Sequence, residues 1–242
     1  MSRWIICPQP RARPKIKLIC FAYAGGSGWL FRNWAKHFPE TVEVYSIELP
    51  GRGQRLQESA FTDINSLIQS LGPELLPILD TPFVCFGHSL GALIAFELCR
   101  WLGALKLMPV QIWVSAARAP HLPLRSTPIH ALPEPDFINE LRNYNGTPES
   151  ALNNSELMTL LLPALRADFA VLETYQYRPG PKLSCPIIGF WGHKDMVVSK
   201  NDVLAWQIHT DSFVLEAIQG NHFFMHQPAF LQQLGQQIAV LL

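Results

Sequence analysis

An excess of one charge, paired cysteines and long apolar runs are all missing from this chain. Lys+Arg and Asp+Glu number 19 each, so no global field draws it to nucleic acid or to an anionic membrane. The five cysteines, Cys7, Cys20, Cys85, Cys99 and Cys185, show no C-x-x-C spacing and fall mostly in apolar runs. They read as buried free thiols of a reducing compartment, not as a disulfide framework. No apolar run reaches the roughly 18 residues that a membrane span needs. Pro8, Pro10 and Pro14 break up the opening residues, unlike a secretory signal peptide. Neither an internal repeat nor a low-complexity tract is visible. These absences predict a cytoplasmic, soluble protein; from its size alone a monomer is expected. The 242 residues are 48% hydrophobic, enough for one large α/β domain, or for a core domain carrying an insertion.

Strand and helix patterns alternate along most of the chain. Residues 17–21 predict a buried strand, ended by the Gly25-Gly26-Ser27-Gly28 loop, with a helix around 29–37. Residues 42–49 alternate with period two and stop at the turn signal Pro50-Gly51. A helix over 64–79 is interrupted at Gly72-Pro73, and 83–86 is the next strand. Further strands are expected at 110–115, 186–191 and 212–218, and a closing helix at 228–242. Such alternation implies an α/β fold, a mostly parallel sheet flanked by helices with right-handed crossovers. The rhythm fails between Arg118 and Tyr177, where prolines cluster and two helices, 135–143 and 155–175, replace strands. We therefore expect a core of residues 1–117 and 178–242 with a helical lid insertion at 118–177. A fixed helical subdomain is the competing reading.

The pentapeptide Gly87-His88-Ser89-Leu90-Gly91 carries the chemistry. It follows a β-rich run and precedes the helical stretch 92–102, the setting of a Gly-x-Ser-x-Gly nucleophile elbow in an α/β-hydrolase fold. A serine hydroxyl is a poor nucleophile until a base takes its proton and a third group orients that base. In this fold the chain order is Ser, acid, His. Asp195 stands just past the strand ending at Trp191, and His222 lies between the last strand and the closing helix. Ser89, Asp195 and His222 are the predicted triad. His193 lies at the wrong place for the base, and His88 is expected to pack or to support the turn. His222 and His226 have metal-like spacing, but no third ligand is near in sequence, so no metal is expected. The oxyanion calls for the amide after the nucleophile, Leu90, and one from the Phe21–Gly26 loop. Which amide of that loop serves is open at this point.

Taken together, these segments resemble the type II thioesterases, stand-alone editing enzymes associated with non-ribosomal peptide and polyketide synthases. Phe21-Ala22-Tyr23-Ala24-Gly25-Gly26 resembles the family's Phe-Pro-x-Ala-Gly-Gly loop, with Ala22 at the usual proline. Leu49-Pro50-Gly51-Arg52-Gly53-Gln54-Arg55 resembles its Leu-Pro-Gly-Arg-Gly-x-Arg segment. Ser115-Ala116-Ala117-Arg118-Ala119-Pro120-His121 resembles the run leading into its lid. Gly192-His193-Lys194-Asp195 is similar to its acid loop, and Gly220-Asn221-His222-Phe223-Phe224 to its histidine loop, with Asn221 where aspartate is frequent.

The resemblance implies that the Ala24 amide is the second oxyanion donor, since the proline position has no N–H. It also implies a substrate acyl group in thioester linkage to the phosphopantetheine arm of an acyl or peptidyl carrier domain, with no cofactor bound by the enzyme itself. A carboxylesterase or lipase of the same fold is the alternative, although lipase oxyanion loops commonly read His-Gly-Gly-Gly. Two readings of Arg52 and Arg55 stay open: contact with a phosphate or an acidic partner, or anchorage of their own loop through Glu48 or Glu58. Trp29, Phe137, Leu141 and Phe169 are candidates for the acyl pocket, against plain core packing.

Overall fold

The computed structural model describes residues 2–125, 127–144 and 146–242. Its strands and helices run in chain order β1 (Ile5–Ile6), β2 (Ile16–Phe21), β3 (Val42–Ile47), α1 (Ile64–Leu75), β4 (Phe83–His88), α2 (Leu90–Ala104) and β5 (Gln111–Ser115). Then come α3 (Glu134–Tyr144), α4 (Glu149–Leu152), α5 (Ser155–Glu173), β6 (Ile187–Gly192), α6 (Lys200–Leu204), β7 (Phe213–Ile218) and α7 (Pro228–Ala239). The strands form one sheet in the order β1-β3-β2-β4-β5-β6-β7. All neighbours pair in parallel except β1, which runs antiparallel to β3 with Ile5 opposite Ile47. This is the expected α/β architecture.

Apolar clusters cover the sheet on both faces. Ile19, Phe21, Cys85, Phe96 and Trp206 belong to one, while Leu18, Trp34, Phe86, Phe190 and Phe230 belong to the other. Double coverage explains why β2, β3 and β4 are buried along their whole length. It also corrects the half-exposed look of 42–49. Glu43 points inward and is satisfied there, accepting from the Tyr45 hydroxyl at 2.6 Å and the Arg11 amide at 2.7 Å. Two helical expectations change as well. Residues 29–37 form two short 3₁₀ turns, Gly28–Phe31 and Trp34–His37, which send Phe31 and Trp34 into the core. The helix over 64–79 is not broken at Gly72-Pro73; α1 runs through Pro73 and gives way to 3₁₀ only at Leu76. Gly72 is small because a Cβ there would lie 2.7 Å from the Trp101 ring of α2.

The 60 residues between Arg118 and Tyr177 hold α3, α4 and α5. Their apolar side chains, Ile129, Phe137, Leu141, Met158 and Leu162 among them, gather in a third cluster. This segment stands over the carboxyl ends of β4, β6 and β7, where open α/β sheets bind ligands.

Candidate active site

Ser89 occupies the turn between β4 and α2 with φ 53° and ψ −115°, a conformation that costs a non-glycine residue about 1–3 kcal/mol. Its neighbours make that turn sterically possible. A Cβ at Gly87 would lie 2.1 Å from the Gly91 carbonyl, and one at Gly91 would lie 2.1 Å from the Phe21 carbonyl. The Ser89 amide donates to the Ser115 carbonyl at 2.8 Å, tying the elbow to the end of β5. Leu90 opens α2, so its N–H is among those a helix start leaves without an intrahelical acceptor.

The acid and base loops meet beside the elbow. His222 Nδ1 lies 2.8 Å from Asp195 Oδ2. The other carboxylate oxygen accepts the amides of Val197 and Val198 at 2.8 and 2.9 Å, so the fully buried Asp195 side chain is held from both sides. Gly192 allows the loops to touch, since a Cβ there would lie 2.7 Å from the Gly220 carbonyl. His88 supplies a further brace. Its Nε2 donates to the His222 carbonyl at 2.9 Å, which leaves Nδ1 to accept from the Ser115 hydroxyl at 2.9 Å. Burial holds the His88 imidazole well below its usual range, then His222 nearby adds to the effect. It is a neutral strut.

The early loop forms a tight turn. Gly26 N–H donates to the Tyr23 carbonyl at 2.8 Å, and Gly25 has φ +77°, the left-handed value a type II turn demands at its third position. The Gly25 amide donates to Asp168 Oδ2 at 2.7 Å. Among the described residues the Ala24 amide has no protein acceptor. That asymmetry favours Ala24 over Gly25 as the oxyanion donor.

Ser89, His222, Tyr23 and Ala24 line one cavity of about 490 Å³, whose far wall includes Leu141, Tyr144, Leu165 and Phe169 from α3 and α5. Two pocket candidates belong elsewhere. Trp29 is 44% exposed on its 3₁₀ turn, away from the cavity. Phe137 is wholly buried behind the wall, its ring edge-on to Phe169 at 5.7 Å. The structure also corrects Arg52 as a substrate contact. Its guanidinium is buried and bidentate to Asp168, both contacts at 2.7 Å, and a third contact reaches the Gly26 carbonyl at 3.2 Å. No donor edge is left for a substrate phosphate. Nor does Arg52 pair with Glu48 or Glu58; Arg55 is the residue bonded to Glu58 and to the Glu48 carbonyl. Among the described residues no group of three or more His, Cys, Asp or Glu is arranged to hold a metal ion.

Asp168 escaped the sequence reading, yet it joins Arg52 to the turn of Gly25. A lone carboxylate inside Leu165-Arg166-Ala167-Asp168-Phe169-Ala170-Val171 was the available signal, since a buried charge demands a partner. Tyr23 was also overlooked; its hydroxyl lies 3.1 Å from His226 Nε2, and its ring packs edge-on to Phe223.

The thioesterase-domain family model matches residues 16–238. The chain belongs to the thioesterase family. Gramicidin S biosynthesis protein GrsT of Aneurinibacillus migulanus is 38% identical over 95% of this chain and 91% of that protein. Linear gramicidin dehydrogenase LgrE of Brevibacillus parabrevis is 40% identical over 93% of this chain and 88% of its own length. Despite that protein's name, the first strand-to-helix turn here has no Gly-x-Gly-x-x-Gly spacing. BorB, the type II thioesterase of the borrelidin biosynthetic cluster, superposes with a TM-score of 0.88 at 36% identity, covering 96% of each chain. Within the family, this thioesterase is of the type II, editing kind of non-ribosomal peptide and polyketide biosynthesis.

Proposed function

We propose that this thioesterase frees carrier domains of misprimed or stalled acyl groups by a serine mechanism built on Ser89, His222 and Asp195. His222 takes the Ser89 proton as the oxygen attacks the thioester carbonyl. The amides of Ala24 and Leu90 stabilise the resulting oxyanion. Its collapse forms the acyl-serine ester and expels the pantetheine thiolate, which the imidazolium proton neutralises. Water then attacks the ester with His222 again as base, releasing the carboxylic acid and restoring the serine. Asp195 keeps the imidazole oriented and stabilises its charged form. Because a thiolate leaves more readily than an alkoxide, protonation of the leaving group matters less here than in ester cleavage.

The observation that carries this reading is the strained Ser89 opening onto the same cavity as a histidine already seated on a buried carboxylate. The cavity has room for a short acyl chain and the end of its arm, with α3 and α5 as a lid over it. No helix among the described residues is long and apolar enough to cross a membrane. The test compares hydrolysis of an acyl-pantetheine thioester with that of the matching oxygen ester. A kcat/KM at least about tenfold higher for the thioester is expected, equivalent to about 1.4 kcal/mol in the transition state. Preference for the oxygen ester would make this site a carboxylesterase.

A further inference from the structure

We infer that Asp168, reaching down from α5, is a positioning residue for the oxyanion hole, and that Arg52 exists to hold it there. One carboxylate does two things. Oδ2 accepts both the Gly25 amide and Arg52 Nη1 at 2.7 Å, while Oδ1 accepts Arg52 Nη2 at 2.7 Å. Arg52 in turn donates to the Gly26 carbonyl at 3.2 Å and, more weakly, to the Pro50 carbonyl at 3.4 Å. The Ala24–Gly26 turn is therefore gripped from its amide side by Asp168 and from its carbonyl side by Arg52. Both side chains are almost fully buried, with 6% and 4% of their surfaces exposed.

Backbone packing is arranged around the same point. Ala164, Leu165 and Asp168 share one face of α5 through their i, i+1, i+4 spacing. A Cβ at Gly25 would lie 2.5 Å from Leu165, and one at Gly51 would lie 3.2 Å from Ala164. Two glycines thus let α5 press directly on both loops.

The consequence concerns the Ala24 amide. The Gly25 N–H lies in the central Ala24–Gly25 peptide of the turn, and the Ala24 N–H lies in the Tyr23–Ala24 peptide just before it, so the two planes are joined at the Ala24 Cα. Holding the Gly25 N–H on Asp168 and the Gly26 carbonyl on Arg52 fixes the turn on the far side of Ala24, and with it the Cα from which the Ala24 amide is aimed. An oxyanion hole works by preorganisation, so a donor that wanders loses most of its value even while present. The inference rests on the serine mechanism proposed above. It adds that the insertion contributes to the chemistry through the backbone as well as walling the pocket.

The test uses the isosteric Asp168→Asn and the charge-preserving Arg52→Lys in the full chain. Active sites are counted by the burst of a chromogenic acyl ester, so that a misfolded fraction drops out of kcat. Three quantities are read for each protein: kcat and KM on an acyl-pantetheine thioester, affinity for an alkyl boronic acid that becomes tetrahedral on Ser89, and hydrogen exchange of the Gly25 amide. We expect kcat per active site to fall about 10–100-fold in Asp168→Asn, somewhat less than outright removal of an oxyanion donor. Boronic acid affinity should fall in parallel, KM should stay within about twofold, and Gly25 exchange should speed up. Arg52→Lys should show the same pattern more weakly. An unchanged kcat per active site in both variants, or a loss confined to KM, overturns the inference while leaving the serine mechanism standing. Failure of the intact protein to cleave the thioester defeats the mechanism itself.

Discussion

The two walls of the cavity are built on opposite principles. The floor, made of the elbow and the acid and base loops, is assembled from short turns at strand ends, where glycines and backbone amides set the shape and neighbouring strand ends meet backbone to backbone. Gly87 and Gly91 make room for the Ser89 turn, and Val197 and Val198 hold the Asp195 carboxylate. The roof comes from α3 and α5 and depends on distant pairings, above all Arg52 with Asp168, 116 residues apart. A floor of backbone turns in close contact tolerates very little change at a few positions. A roof of packed side chains can be remodelled without touching the chemistry, except where Asp168 reaches through to the floor.

The largest expected effect lies on the floor. Asp195→Asn should lower kcat by about 10⁴-fold with the fold intact, because an amide in place of the carboxylate favours the wrong imidazole tautomer; steady-state kinetics beside a circular dichroism spectrum would show it. Gly91→Ala should destabilise the protein by about 3 kcal/mol or more, since its methyl would meet the Phe21 carbonyl at 2.1 Å and the Ala22 carbonyl at 2.8 Å, both backbone. Thermal unfolding reads that loss, and a variant as stable as the parent would mean that the elbow is less tightly packed than its geometry says. Arg52→Ala joins floor and roof in one experiment. Leaving Asp168 buried and unpaired should cost about 3–5 kcal/mol, visible in urea titration.

Two smaller effects sharpen the contrast. Phe169→Leu, on the roof, should shift the preference toward bulkier acyl groups by about tenfold in kcat/KM, with little change on a small acyl thioester. Away from both walls, His209 is buried against Trp206 and bonded to His121. Burial, then His121 and Arg100 nearby, pull its imidazole down to about 4. The unfolded chain binds that proton near pH 6.5, so between about 6.5 and 4 the unfolded state carries more protons than the folded one. Stability should therefore fall as pH drops through that window, by up to about 1.4 kcal/mol per pH unit from this residue. His209→Gln should flatten the slope in unfolding experiments at stepped pH.

The same contrast decides what could be read from the sequence. Every parallel strand was legible, β3 as an alternating run and the others as apolar-rich runs, and the elbow was legible because local sterics confine it to a five-residue pattern. β1 was not, being two residues long and defined only by its pairing with β3. The 3₁₀ turns at 28–37 were misjudged as one helix because their periodicity matches over so few residues. Arg52 has Glu48 and Glu58 nearer in sequence, and the lone carboxylate of Asp168 announces that it needs a partner but not which one, 116 residues away. Trp29 failed as a pocket residue for a related reason: an aromatic side chain near a loop does not reveal which way its short helix turns it.

Removal of acyl groups from carriers by Ser89 would appear as a change of mass. Its most direct test is mass spectrometry of a carrier domain loaded with acetyl-phosphopantetheine, incubated with the intact protein or with Ser89→Ala. Loss of the acetyl mass with the intact protein, and its retention with the variant, is the predicted result. Retention with both, alongside cleavage of a simple oxygen ester by the intact protein, would contradict it.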